Sequence, residues 1–347
     1  MSTAERLRIP ENRRDNRFDV LRLLAAWLVL FSHCYPLAGR ESDEPLLSAL
    51  GVTFGTVGVA LFFAISGYLV TQSLERSGNL RVFATRRALR IYPALVCVTL
   101  ASMAVIGPVF TTLPQASYWT HEQTWKYLWN ASAWRVSFLL PQVFAHNPFP
   151  NAINGSLWTL PYEVRCYLTL AFVSLLPGRM LVKLILVAVA LSAMWVFRGT
   201  LPALASGDKL WGLNHYHVQL GLAFAIGGVY ACLRGGVGPS LRACAVLTMV
   251  ALLLPAGAWR DVATTIAFSS GILWLALHAR WLPVVPTRMG DWSYGVYLYA
   301  FPVQQCLAWA SLHTVSFPAY VAASTAITMA LACASWHLVE KRPLRFR

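Results

Sequence analysis

Charge is what this sequence has least of. Asp, Glu, Lys and Arg together make up 12% of its 347 residues, about half the share of an ordinary soluble domain. Only 14 of these are acidic, against 28 basic. Such a chain cannot clothe a water-facing surface of its size. With 57% hydrophobic residues and a mean hydropathy of +0.54, the solvent for its core is the bilayer. The net charge of +14 does not bring in nucleic acid, because the basic residues cluster between apolar segments rather than along one soluble face. Patterned cysteine is missing too. The seven cysteines, at 34, 97, 166, 232, 244, 306 and 333, show no CxxC, zinc spacing or disulfide framework; they read as small packing residues. No internal repeat supports an inverted-repeat transporter. No cleavable leader is expected either, since the first apolar run follows a polar segment, is too long and contains Arg22.

What is present is a series of ten apolar segments, near 18–37, 52–72, 91–111, 156–176, 181–197, 214–233, 241–256, 261–278, 292–312 and 317–339. They predict one all-α, polytopic membrane domain over 1–347 with about ten transmembrane helices. Lys and Arg set its orientation. With residues 1–17 in the cytoplasm, twenty fall on the cytoplasmic side and six on the other, alternating loop by loop, so both termini are expected inside. The stretch 112–155 then becomes a long extracytoplasmic loop. Its Trp119, Trp125, Trp129 and Trp134 recur at about helical intervals, as an amphipathic interfacial helix would. A sugar-stacking platform is the alternative.

Ionisable residues inside apolar spans are costly and point to function. Arg22 and His33 lie eleven residues apart in the first span. Eleven steps of about 100° return to within roughly 20° of the starting face and rise about 16 Å, so both look out of one side. Asp19, three residues before Arg22, shares that face and is its expected partner. His33 is suited to act as a general base near neutral pH, the alternative being a hydrogen bond to a neighbouring helix. Arg22 either snorkels to the headgroups or offers a planar fork to phosphate or an oxyanion. Arg86, Arg87 and Arg90, just before a span, read as a positive-inside signal or as a dock for a polyphosphate such as the tail of coenzyme A. Glu163, with Trp158 and Arg165 in the same NGSLWTLPYEVRCYL stretch, would bind an acceptor hydroxyl, orient His33, or pair with an arginine. Ser66-Gly67-Tyr68 suits close helix packing. His215 and His217 alternate and make a poor helical metal pair; no metal site is expected.

Taken together, several segments resemble the acyltransferase-3 family of bacterial membrane O-acyltransferases. They are the Arg22-x10-His33 pair, FFAISGYL at 62–69, RRALRIYP at 86–93, SLWTLPYEVRCYL at 156–168, and GDWSYGVYLYAFPV at 290–303 with HLVEKRP at 337–343. The resemblance implies a ten-helix domain of the bacterial inner membrane. It would move an acyl group, commonly acetyl, from cytoplasmic acyl-CoA to a hydroxyl of an envelope glycan or glycolipid, with no tightly bound cofactor. It implies functional roles for Arg22, His33 and Glu163, and donor binding by Arg86, Arg87 and Arg90; Asp19, Ser66, Tyr68, Trp158 and Arg165 support them. One departure stands out: Ala300 occupies a position where the family often has histidine. The competing expectation is a transporter or flippase that moves a glycan without covalent chemistry.

Overall fold

The computed structural model describes residues 17–200, 214–233, 238–286 and 290–341. Several residues used for orientation (Arg6, Arg8, Arg13, Arg14, Lys209, Arg234, Arg288, Arg342, Arg345 and Arg347) lie outside the described residues. Helix α1 spans Arg17–Leu37, α2 Phe54–Ser77, α3 Leu80–Ala101, α4 Leu160–Leu175 and α5 Met180–Val196. They are followed by α6 His215–Cys232, α7 Leu241–Leu253, α8 Ala258–His278, α9 Ser293–Trp309 and α10 Phe317–Ser335. Each apolar segment read from the sequence holds one of these helices. Five, namely Arg17–Leu37, Phe54–Ser77, Leu80–Phe110, Ala258–His278 and Phe317–Glu340, are long and apolar enough to cross a membrane; α3 and α10 reach those lengths through a π turn at the C-terminal end.

Two boundaries differ from expectation, each for a local reason. Helix α3 begins eleven residues earlier than its apolar run, because the Asn79 side chain accepts hydrogen bonds from the backbone of Arg81 and Val82 and caps it. Arg86, Arg87 and Arg90 therefore sit on a helix, not in a loop before one. The tryptophan-rich stretch is not one helix. Pro114 precedes a short helix Gln115–Thr120, His121 Nδ1 caps a second, Glu122–Lys126, and a 3-10 turn Tyr127–Ser132 follows. The segment folds on its own apolar centre, in which Tyr118, Tyr127, Phe144 and Ile153 are buried and Tyr118 donates to the Met103 carbonyl at 2.7 Å.

The bundle is held by close backbone approach and by a mended helix. A side chain on Gly67 of α2 would overlap the Phe224 carbonyl of α6, and one on Gly227 of α6 would overlap the Ala64 carbonyl. Only glycine lets these helices cross so tightly. Helix α9 is buried on most sides and contains Pro302. Proline lacks the N–H that the carbonyl four residues back would accept. That orphaned carbonyl belongs to Leu298, and Asn154 Nδ2 donates to it at 2.9 Å. Gln304 Nε2 ties α9 to the Leu30 carbonyl of α1 at 2.7 Å, and Gln305 Nε2 ties it to the Ala152 carbonyl at 2.7 Å.

Candidate active site

At the end of the bundle where α1 begins lies a cavity of about 1020 Å³, large enough for a cofactor-sized molecule. Phe18, Asp19 and Arg22 of α1 line it, with the Val59–Arg76 face of α2, Arg86, Arg87 and Arg90 of α3, Thr159, Leu160, Glu163 and Tyr167, and Asp291, Tyr294 and Tyr297 at the start of α9. Five arginines and three carboxylates face the space among the described residues.

The arginines divide by what already holds them. Arg22 and Arg90 both donate to one oxygen, Oδ2, of Asp291, Arg90 through Nη2 at 2.7 Å. Arg90 also reaches Glu340 at 3.5 Å, and its guanidinium lies 5.3 Å from the Tyr294 ring centroid. The other Asp291 oxygen accepts from the hydroxyl and backbone N–H of Ser293. Burial alone would raise the Asp291 carboxyl, but Arg22 and Arg90 overcome that and hold it below the ordinary aspartate value. Arg76 is turned back onto Gln72. Arg86 and Arg87 are different. The Nε of each is buried with no hydrogen-bond partner, and Arg87 packs 6.0 Å over the Tyr167 ring. Buried donors without partners are costly, so these two guanidinium groups are where the cavity has unmet demand for an anion. Opposite them Glu163 accepts the Tyr167 hydroxyl.

The remaining expected residues divide between the cavity and its surroundings. Ser66 and Asp19 line the cavity, whereas Tyr68 is buried with its ring stacked on Phe18 at 5.3 Å. Trp158 packs between Tyr162 and Tyr216. Arg165 lies over the Trp134 ring at 4.9 Å and meets His217 at 3.0 Å. Trp158 and Arg165 thus form a second aromatic group outside the cavity lining.

His33 is not in the cavity lining. Its ring sits edge-on to Phe301 at 5.3 Å, and its Nδ1 is buried without a hydrogen-bond partner. Between Arg22 and His33, Ala26 and Leu30 are fully buried and pack against Val296 and Ala300 of α9. The cavity's inner wall is Phe62, Thr159 and Tyr297. The Tyr297 hydroxyl donates to the Ser156 carbonyl at 2.7 Å and pairs with Thr159 Oγ1 at 2.6 Å. Phe301 follows Tyr297 by one helical turn, so His33 stands one aromatic turn beyond the end of the cavity. Arg22 and His33 share one side of α1, as the spacing predicts, but packed side chains fill the stretch between them.

Asp291 and Glu340 are the residues that reading passed over. Both fall inside stretches quoted above, GDWSYGV and HLVEKRP. The available signal was the rarity of acids in a chain with only 14 of them. A carboxylate at the edge of an apolar span needs a partner, and the span arginines were unassigned except to Asp19.

The chain is 32% identical over 338 residues to the O-acetyl transferase of Shigella phage Sf6, covering 95% of this chain and 96% of the relative. It is 29% identical over 374 residues to nodulation protein 10 of Rhizobium leguminosarum bv. viciae, covering 96% and 94%. It is 26% identical over 313 residues to acyltransferase MdmB of Streptomyces mycarofaciens, covering 82% and 77%. No solved structure matches it. The family model for the acyltransferase domain matches residues 15–337: the chain belongs to the acyltransferase-3 family and is an acyltransferase.

Proposed function

We propose that this protein crosses the bacterial inner membrane ten times with both ends in the cytoplasm. In this reading it moves an acyl group, most simply acetyl, from cytoplasmic acyl-CoA to a hydroxyl of an envelope carbohydrate. The observation that carries the reading is the cavity itself, which gathers Arg22, Arg86, Arg87, Arg90 and Glu163 into one volume of cofactor size. The name of the phage relative supports an O-acetyl product. The excess of Lys and Arg at the α1-entry side supports its cytoplasmic placement.

The donor's phosphates meet the guanidinium groups of Arg86 and Arg87, and its thioester end runs inward along α1 and α9. The acceptor hydroxyl enters from the opposite side, beside His33. His33 takes the hydroxyl proton, the oxygen attacks the acyl carbon, the C–S bond breaks as the C–O bond forms, and the departing thiolate takes up a proton. General-base help of this kind accelerates such a step about 10²–10⁴-fold. For acyl and hydroxyl to meet, the Tyr297–Phe301 turn must let the thioester through. The test is release of coenzyme A from labelled acetyl-CoA by purified protein with an acceptor present. His33→Ala should abolish release at unchanged expression, and wild-type rates in that variant would reject the assignment. Substrate movement without any coenzyme release would identify a transporter instead.

A further inference from the structure

A carboxylate is out of place in a cavity that must attract a polyanion. Asp291 lines that cavity nonetheless, and all its bonding capacity is spent on orientation. Oδ2 takes a guanidinium N–H from α1 and another from α3, while Oδ1 takes both donors of Ser293, the first residue of α9. Three helices therefore converge on one side chain. Ser293 fixes the carboxylate to its own helix, and Gly290 beside it turns the chain at φ +77° hard against the Trp336 ring. The anchor is tied at both oxygens, and the groups it holds are long side chains. We infer that Asp291 is the positioning residue of the acyl-transfer site, setting the guanidinium planes of Arg22 and Arg90 against the donor. The inference rests on the transferase reading above.

Only one N–H of Arg22 is taken by Asp291, out of the five donors a guanidinium carries. The rest remain available to an incoming phosphate or acyl carbonyl, in a plane that Asp291 dictates. Arg90 is fixed on both sides, by Asp291 and by Glu340, and Glu340 is in turn held by the Ser335 hydroxyl at 3.0 Å. The cavity thus holds two kinds of arginine: Arg86 and Arg87, which no carboxylate holds among the described residues, and Arg22 and Arg90, which are aimed.

The two simpler roles for Asp291 predict different kinetics. A residue that only offsets positive charge would, on Asp291→Asn, leave turnover intact and tighten donor binding. A residue that only staples the fold would lower the melting point and leave kcat per folded molecule unchanged. Positioning predicts a split. In purified protein, Asp291→Asn should lower kcat about tenfold or more, the scale of a lost charge-assisted hydrogen bond. Its KM for acetyl-CoA should be unchanged or lower, and its melting point close to wild type. Asp291→Glu should recover part of kcat. Asp291→Asn combined with Arg22→Lys should be slower than Arg22→Lys alone by less than the full Asp291→Asn factor, because the two changes share the Arg22 guanidinium while Asp291 also holds Arg90.

Wild-type kcat in Asp291→Asn, a loss confined to KM, or full additivity with Arg22→Lys would each overturn the assignment. Should Asp291→Asn yield no folded protein, Ser293→Ala loosens the same carboxylate without changing charge. It should lower kcat a few-fold at constant KM, and an unchanged kcat overturns the inference. A wild-type protein that releases no coenzyme A rejects the transferase reading and this inference with it. An active wild type with unaffected variants rejects the inference alone.

Discussion

A guanidinium differs from an ammonium in being a plane, and this cavity is built to use planes. Arg22→Lys keeps the charge but loses the fork, so kcat for acyl transfer should fall at least tenfold while KM for acetyl-CoA changes little. Arg86→Ala with Arg87→Ala should do the reverse. Each such phosphate contact is worth about 1.5–3 kcal/mol, so the pair should raise KM by 10²-fold or more and flatten its dependence on salt. Steady-state kinetics across an ionic-strength series separates the two classes. At this scale the sequence singled out Arg22, His33 and Glu163 as ionisable residues in apolar runs, and the structure brings Arg22 and Glu163, but not His33, to the cavity. The sequence did not single out Asp291, whose partners are 269 and 201 residues away. Sequence proximity offered Asp19 to Arg22, and only the meeting of α1, α3 and α9 shows that Asp291 holds it.

Helix types and approximate places followed from hydropathy, whereas the ends depended on single polar side chains that hydropathy averages away. Asn79 lengthened α3, and His121 divided the tryptophan stretch. The same holds for Asn154, which completes α9 opposite Pro302. Removing that amide leaves a buried carbonyl without a donor, at a cost of about 1–3 kcal/mol. Asn154→Ala should therefore lower the melting point in detergent, and adding Pro302→Ala, which restores the missing N–H, should return much of the loss. An Asn154→Ala protein as stable as wild type would show that α9 needs no mending. Close packing at Gly67 was anticipated, but its partner Gly227 on α6 was not. Gly67→Leu should drive α2 and α6 apart and lower the yield of folded protein, measured by size-exclusion chromatography.

Across the whole molecule, the proposed function has the arginine cavity and His33 approached from different ends of the bundle, with the Tyr297–Phe301 turn between them. In a variant lacking the native cysteines, Arg87→Cys should react with a membrane-impermeant thiol reagent only in inside-out vesicles, and His33→Cys only in right-side-out ones. Labelling of both from one side would contradict a two-sided site. The sequence could show that both residues belong to one helix face. It could not show that Ala26 and Leu30 close the space between them, because that depends on which helix packs there.

The length of α3 has its own consequence. From Leu80 to Phe110 it runs 31 residues, roughly 46 Å at 1.5 Å per residue, against about 30 Å of hydrocarbon. The surplus behaves like a mast that a thin bilayer leaves standing and a thick one swallows. Arg81 is its exposed lowest rung, and Arg86, Arg87 and Arg90 follow it into the cavity, so membrane thickness decides how near the lipid phosphates come to the cavity mouth.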